Sequence, residues 1–589
     1  MAKTMKSVDA VMVGMGWSGS IMARELTRAG LTVVGLERGA DKSPRENFAL
    51  PAIRDELKYR VRQELMLDTS IETYTLRNNP SELALPMRKW DIPPVGDGLG
   101  GAGAHWNGVT WRFIPSEFVL RSHLTARYGR NAIPDYMTIQ DWGITYDDLE
   151  PHYEHFERLC GTSGKAGNLR GQKIEGGNVF EGPRLSEYPN KPLIMSQAGV
   201  IFTKAAQSLG YHPFPTPASN SSAPYTNSEG LEIGQCQYCG HCEYFGCETN
   251  AKASPLVCVL PVLMQDKKFE LRTQAYVSRL IYDKQGKKVR GVVYIDRRSG
   301  EEIEQPADLV VLCAYAFNNT QLLLAAGIGQ PYDPATGKGV VGKNYCHQTT
   351  SNVMMFVDDE INPFIGTGTS PAAIDDFQGD NFDHGGLGFF GGGFIAPSVS
   401  GGRPIQVRAV PPGTPRWGSA WKEATAHWYN HAFPLNCHGI SYAHRNNYLD
   451  LDPTYKDAIG RPLIRMTYNY FENDYKMSAF LTEKAVGIAR AANARIVGNP
   501  QPRRGNFGAG NGGASHHTGG AIMGTDPATS AVNRYLQSWE ASNLFVMGGA
   551  TFPQNAGHNP TGTIGALTYW SAQAITTQYL KSPGPLVQA

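Results

Sequence analysis

The chain has 589 residues, 41% hydrophobic and 18% charged, with a formal net charge of +1. That balance gives no reason to expect nucleic acid as a partner, and no apolar run approaches the ~20 residues that span a bilayer. Nine cysteines in so long a chain do not make a disulfide scaffold, and four of them fall within one short segment.

Residues 1–7 carry two lysines and pass straight into an apolar strand, so the chain is expected to carry no export signal of its own. Residues 8–13 read as that strand, 20–29 as a helix and 31–36 as a second strand, with Gly14-Met15-Gly16-Trp17-Ser18-Gly19 between strand and helix. Gly14 permits the turn, Gly16 lets backbone N–H groups approach a pyrophosphate at the helix N-terminus, and Gly19 lets helix and strand pack closely. Glu37 is placed to accept ribose hydroxyls, with Arg38 beside it, and the carboxylate disfavours a 2′-phosphate. The pattern points to a dinucleotide other than NADP.

Residues 41–90 read as a charged connection over the nucleotide site, with helix around 53–65. A second glycine-rich turn follows, containing Gly100, Gly101, His105, Trp106, Asn107 and Gly108, and reads as another backbone approach to a cofactor. Residues 166–235 are rich in Gly, Pro, Ser and Asn and are expected as a surface excursion, with one helix around 199–209. Strands are expected at 271–273, 275–282, 289–295 and 307–313, then a helix through 324. Beyond them, glycine stretches such as 385–393 suit a sheet that a ligand approaches closely, and helix resumes over 474–494.

Cys236, Cys239, Cys242 and Cys247 are spaced much like iron–sulfur ligands. The long separation between two short pairs that a structural zinc usually shows is missing, though zinc, free thiols and disulfides stay open as alternatives. Cys160, Cys258, Cys313, Cys346 and Cys437 are scattered and read as small buried apolar residues.

These segments, with 141–153 and 559–563 (Asn559-Pro560-Thr561-Gly562-Thr563), resemble the glucose–methanol–choline (GMC) oxidoreductases. The resemblance implies an α/β fold: a Rossmann-like FAD-binding domain (1–165, 236–345 and 495–589) interleaved with an α+β substrate domain on a largely antiparallel sheet (346–494). It implies FAD, with Val277 near the adenine and Asn559, Pro560 and Thr561 at the flavin. Residues 514–524 resemble the family's catalytic segment, which makes His516 the base with His517 as alternative, and puts the partner at Asn559 with His558 as second candidate. The chemistry suits these types: a neutral imidazole takes the hydroxyl proton of an alcohol, and an amide orients the oxygen without competing for it. His105 before Trp106 is similar to the histidine that tethers the flavin covalently in some relatives.

The cysteine segment is similar to that of the flavoprotein subunits of membrane-bound sugar and sugar-acid dehydrogenases. That likeness implies a [3Fe-4S] cluster on Cys236, Cys242 and Cys247 with Cys239 spare. It also implies a small partner subunit bearing a twin-arginine signal, a multihaem cytochrome c subunit, a quinone as eventual acceptor, and a peripheral place at the periplasmic face of the inner membrane. The expected substrate is a sugar acid or polyol, D-gluconate at C2 first, with 2-ketogluconate, sorbitol, fructose and glucose as alternatives. A carboxylate substrate should meet an Arg or Lys; Arg445, Arg503 and Arg504 are candidates, and solvated surface charge is the alternative reading of all three. A soluble GMC oxidase with structural zinc and a flavoprotein electron carrier without an alcohol site are the competing readings.

Overall fold

The computed structural model describes residues 3–41, 67–70, 72–88, 95–243, 245–398, 409–508 and 516–588. The helix expected around 53–65 lies outside them. An eight-stranded sheet forms the nucleotide half; six of its strands run in the order Phe269–Thr273, Val33–Glu37, Val8–Val13, Glu302–Leu312, Lys288–Asp296, Ala275–Asp283, and Lys3–Thr4 and Leu544–Val546 pair with Glu302–Leu312 off that path. Val8–Val13 and Val33–Glu37 are apolar enough to be covered on both faces, as a parallel sheet requires. Glu302–Leu312 does two jobs along its length. Its first half pairs antiparallel with Lys288–Asp296, and its second half pairs parallel with Val8–Val13 and Leu544–Val546.

Helix Trp17–Arg28 packs against Thr561–Ala574, which in turn packs against Tyr146–Cys160. The last of these starts at a capping box, Thr145 with Asp148, and ends at Gly161 in the left-handed region. Its Glu157 is buried between two guanidinium groups, 2.8 Å from Arg112 and 2.6 Å from Arg184. Burial alone would raise that carboxyl, but the charges of Arg112 and then Arg184 hold it at about 2. The network pins the segment bearing Trp111, which matters at the active site.

The second sheet is antiparallel, in the order Gly393–Pro397, Ala432–Ile440, Gln348–Phe356, Ile496–Val497. Strand alternation splits its residues. Val353, Met355, Leu435 and Cys437 pack with Met477, Leu481, Ala485 and Ile488 of helix Glu472–Ala491. The residues between them, Thr350, Asn352, Asn436 and His438, turn to the opposite face, toward the nucleotide half. A third sheet joins Tyr448–Lys456 and Pro462–Thr467 to Thr75–Arg77 and Leu85–Pro86.

Two expectations need correction. Helix Gln197–Ser208, inside the stretch expected on the surface, buries Ala198, Phe202, Ala205 and Ala206 against the second sheet and helix Glu472–Ala491. Its apolar residues recur at helical spacing, which the surrounding Gly, Pro and Ser composition conceals. The glycine stretch lies between strands as expected, 385–392 being turn and irregular backbone and Gly393 opening strand Gly393–Pro397, but no ligand approach accounts for its glycines there. A Cβ on Gly392 or Gly393 would lie 1.9 Å from Phe377 O or 2.2 Å from His438 O, so these two glycines admit neighbouring backbone, not a ligand.

Candidate active site

A cavity of ≈ 710 Å³ lies between the first two sheets. It runs from Glu37, Arg38, Tyr276 and Val277 at one end to Thr350, Asn352, His438 and His516 at the other. The three glycines of the first motif divide their tasks. Gly14 has φ +94°, and a Cβ there would sit 2.7 Å from Cys313 O; a Cβ on Gly19 would sit 2.0 Å from Gly14 O. At Gly16 the nearest atom would be 3.8 Å away, which leaves this residue open to the cavity for a pyrophosphate. Glu37 accepts hydrogen bonds from Gly39 N at 2.9 Å and Met15 N at 3.0 Å, and burial pushes its carboxyl up. Arg38 is paired with Glu72 at 2.8 Å and Asp97 at 3.2 Å.

Of the second glycine turn, Gly101, His105, Trp106 and Asn107 line the cavity, whereas Gly100 and Gly108 support it from behind. Gly108 needs its φ of +94°, and a Cβ on it would meet Asn220 Oδ1 at 2.1 Å. His105 is buried, and its Nε2 has no partner among the described residues. Burial, then the Lys252 charge, lowers its pKa to about 4, so the imidazole is neutral. Pro560 and Thr561 line the cavity where helix Thr561–Ala574 begins, which turns the positive end of that helix dipole toward it.

At the far end, His516 Nε2 lies 3.2 Å from Asn559 Nδ2, and His516 Nδ1 lies 2.5 Å from Gln348 Oε1. Trp111 Nε1 donates to Asn559 Oδ1 at 3.1 Å, which fixes which end of the amide faces His516. Burial, then the neighbouring His438 and His347, lowers the pKa of His516 well below the usual histidine range. His517 also lines the cavity, but its Nδ1 is bonded to Tyr345 OH at 2.6 Å. His558 does not line the cavity: it stacks on Trp111 with ring centroids 4.5 Å apart and bonds Asp375 at 3.0 Å. His516 and Asn559 are thus the pair that meets, and His558 is their buttress. Sequence reading missed Gln348, Trp111 and His438. Their partners are far along the chain, 168 positions for Gln348–His516 and 448 for Trp111–Asn559.

All four cysteines of the cluster line a second, smaller cavity. Burial pushes the thiols of Cys236 and Cys242 up to about 11 and about 12. Among the described residues, no three His, Cys, Asp or Glu side chains come together as a site for a single metal ion. The two cavities nearly touch: a Cβ on Gly368 would lie 2.7 Å from Cys242 Cβ and 2.9 Å from Asn107 O. Lys252, fully buried, joins the two loops by donating to Trp106 O at 2.6 Å, Cys242 O at 2.7 Å and Phe245 O at 2.7 Å.

The arginines expected to meet a carboxylate do not line the cavity. Arg445 donates to Pro334 O, and Arg503 donates to Thr350 O and Oγ1. Among the described residues, the guanidinium groups in the cavity wall are Arg38 and Arg461, and Arg461 bonds the carbonyls of Val277 and Ser278 at the dinucleotide end.

Two models of the GMC oxidoreductase family match the chain, over residues 196–350 and 443–568. The chain is 48% identical to the gluconate 2-dehydrogenase flavoprotein of Pantoea cypripedii, covering 100% of this chain and 96% of that one. It is 26% identical to the fructose dehydrogenase large subunit of Gluconobacter japonicus, covering 97% and 98%. Among solved structures it is similar in fold to pyridoxine 4-oxidase from Mesorbium loti (TM-score 0.56, 17% identity, 97% and 99% covered). It is likewise similar to a formate oxidase of Aspergillus oryzae (TM-score 0.60, 14% identity, 98% and 99% covered). With a full-length relative at 48% identity and both family models matched, the chain belongs to the GMC oxidoreductase family, as an FAD-dependent enzyme acting on CH–OH groups.

Proposed function

We propose that this chain is the flavoprotein subunit of a dehydrogenase that oxidises a secondary alcohol of a sugar acid, D-gluconate at C2 foremost, with electrons leaving singly through an iron–sulfur group. The observation that carries the reaction is the His516–Asn559 pair at one end of a cavity whose other end suits a dinucleotide. The substrate rests on the full-length identity with a gluconate 2-dehydrogenase flavoprotein. A polyhydroxylated ligand also suits the cavity face, where Asn352 and Asn436 stand opposite each other across paired strands, next to the Thr350–His438 pair.

The residues fit FAD: Gly16 leaves room for the pyrophosphate, Glu37 stands at the ribose end, and His105 offers an orphaned ring nitrogen. FAD held there would supply the hydride acceptor for the carbinol carbon. His516, neutral at pH 7, takes the hydroxyl proton at Nε2. Asn559 donates from Nδ2 to the substrate oxygen, and Trp111 keeps that amide from turning. His105 is assigned as a covalent tether to the flavin. Acid precipitation should therefore leave a yellow pellet, and a colourless pellet with free FAD in the supernatant would contradict the tether.

The cysteine pocket fits an iron–sulfur group in its chemistry, because four thiols face one small cavity. Buried thiols with raised pKa values need the positive charge of a metal to ionise, and such a group carries electrons one at a time when bound. Cys236, Cys242 and Cys247 are assigned as ligands of a [3Fe-4S] cluster, with Cys239 the spare. The names of the relatives, a flavoprotein and a large subunit, support assembly with partner chains. The same reading includes a small subunit with a twin-arginine signal, a multihaem cytochrome c subunit, a quinone acceptor and a location at the periplasmic face of the inner membrane. Among the described residues no helix is long and apolar enough to cross a membrane. Dye-linked turnover tests the substrate: D-gluconate should exceed 2-ketogluconate, sorbitol, fructose and glucose in kcat/KM, and preference for any of those four would reassign it.

A further inference from the structure

We propose that Gln348 is a positioning residue that fixes the tautomer of His516, so that the lone pair that takes the substrate proton is at Nε2, the ring nitrogen beside Asn559. The inference rests on His516 being the base. Gln348 opens strand Gln348–Phe356 and is fully buried. Its Nε2 lies 2.6 Å from Ala556 O, 3.1 Å from Gly557 O and 3.0 Å from His558 O. Carbonyl oxygens only accept, so the atom facing them is the amide nitrogen and the other is the oxygen.

That oxygen, Oε1, lies 2.5 Å from His516 Nδ1. An amide oxygen cannot donate, so Nδ1 must carry the proton. A neutral imidazole holds one N–H, which leaves Nε2 as the lone-pair nitrogen. Asn559 supports the same assignment independently. Its Oδ1 accepts from the Trp111 indole N–H, which only donates, so the atom facing His516 Nε2 is an N–H₂ group in need of an acceptor. With the opposite tautomer, two lone pairs would face each other at Nδ1 and two donors at Nε2.

Gln348 also sets the spacing of the pair. Its NH₂, with two N–H donors, lies among the three carbonyls immediately before Asn559, while its oxygen accepts from His516 Nδ1. One side chain from the second sheet thereby holds both reacting groups, which belong to separate segments. After proton transfer the bond from Nδ1 persists, because both ring nitrogens of an imidazolium donate.

The test uses Gln348→Met and Gln348→Glu in the FAD-loaded protein with the best alcohol of the wild type. Gln348→Met should lower kcat at least tenfold, keep KM within twofold and raise the solvent deuterium isotope effect on kcat, with flavin content unchanged. Gln348→Glu restores an acceptor at Nδ1. It should recover most of kcat while moving the acidic limb of the kcat/KM profile to higher pH, since a carboxylate there favours the imidazolium. If the methionine variant loses flavin, the glutamate variant decides alone. Wild-type kcat and isotope effect in Gln348→Met, or a wild-type pH profile in Gln348→Glu, would overturn the role. Full turnover in His516→Ala would instead sink the base on which it depends.

Discussion

Replacing His516 with alanine is expected to lower kcat about 10³-fold at pH 7 while FAD stays bound and KM changes little. A positioned general base contributes ~10²–10⁴-fold, and a thousandfold loss corresponds to ~4 kcal/mol of transition-state stabilisation. His516 is held at both ring nitrogens, by Gln348 and Asn559, whereas His517 is committed to Tyr345 and His558 to Asp375. Alanine at 517 or 558 should therefore act mainly on stability and flavin seating. The wild-type pH profile follows from the direction of the His516 shift. The base works when unprotonated, and burial followed by His438 and His347 moves its pKa below the histidine range. Activity should stay level from neutral into mildly acidic pH and fall only below the point where an ordinary histidine protonates. Kinetics of His516→Ala indistinguishable from wild type would remove the base from this site.

Cys242→Ser should abolish iron and labile sulfide in the purified protein and cut turnover with one-electron acceptors at least a hundredfold. Substrate should still bleach the flavin in that variant, because hydride transfer needs only the cavity between the sheets. Cys242 lies next to that cavity: it packs against Gly368 beside Asn107 and accepts from Asn220 Nδ2 at 3.5 Å. Cys239→Ser separates three ligands from four. Retained iron supports Cys236, Cys242 and Cys247 as the set, and lost iron makes Cys239 a ligand. A wild-type protein that carries zinc and no iron would replace the electron route with a structural role for this loop.

The nucleotide half was legible because its determinants are local. A strand, three glycines with different steric duties, a helix and Glu37 all fall within thirty positions, and the structure gives each glycine a distinct neighbour. The motif segments put His516 and Asn559 first, with His517 and His558 as alternatives, and the structure brings His516 and Asn559 together while His517 bonds Tyr345 and His558 bonds Asp375. Adjacent residues in one segment point different ways, and the fold gives each its own partner. Gln348, Trp111 and His438 left no mark in the sequence. Each is one polar or aromatic residue on a strand or loop whose partner comes from a remote segment. The same holds for Arg112 and Arg184, whose buried pairing with Glu157 turns charges that composition would put in solvent into an anchor for Trp111. Arg445, Arg503 and Arg504, which read as readily as surface charges as they do as carboxylate partners, stand outside the cavity wall, and their basic character alone carries no signal of direction.

The most direct test of the central reading is anaerobic mixing of the purified protein with D-gluconate, following the visible absorbance of the flavin and the electron-spin signal of the proposed iron–sulfur group together, with the product identified. Bleaching of the flavin, a change in the iron signal and formation of 2-keto-D-gluconate are the expected results. A flavin that stays oxidised with D-gluconate and with every sugar, sugar acid and polyol offered would contradict it.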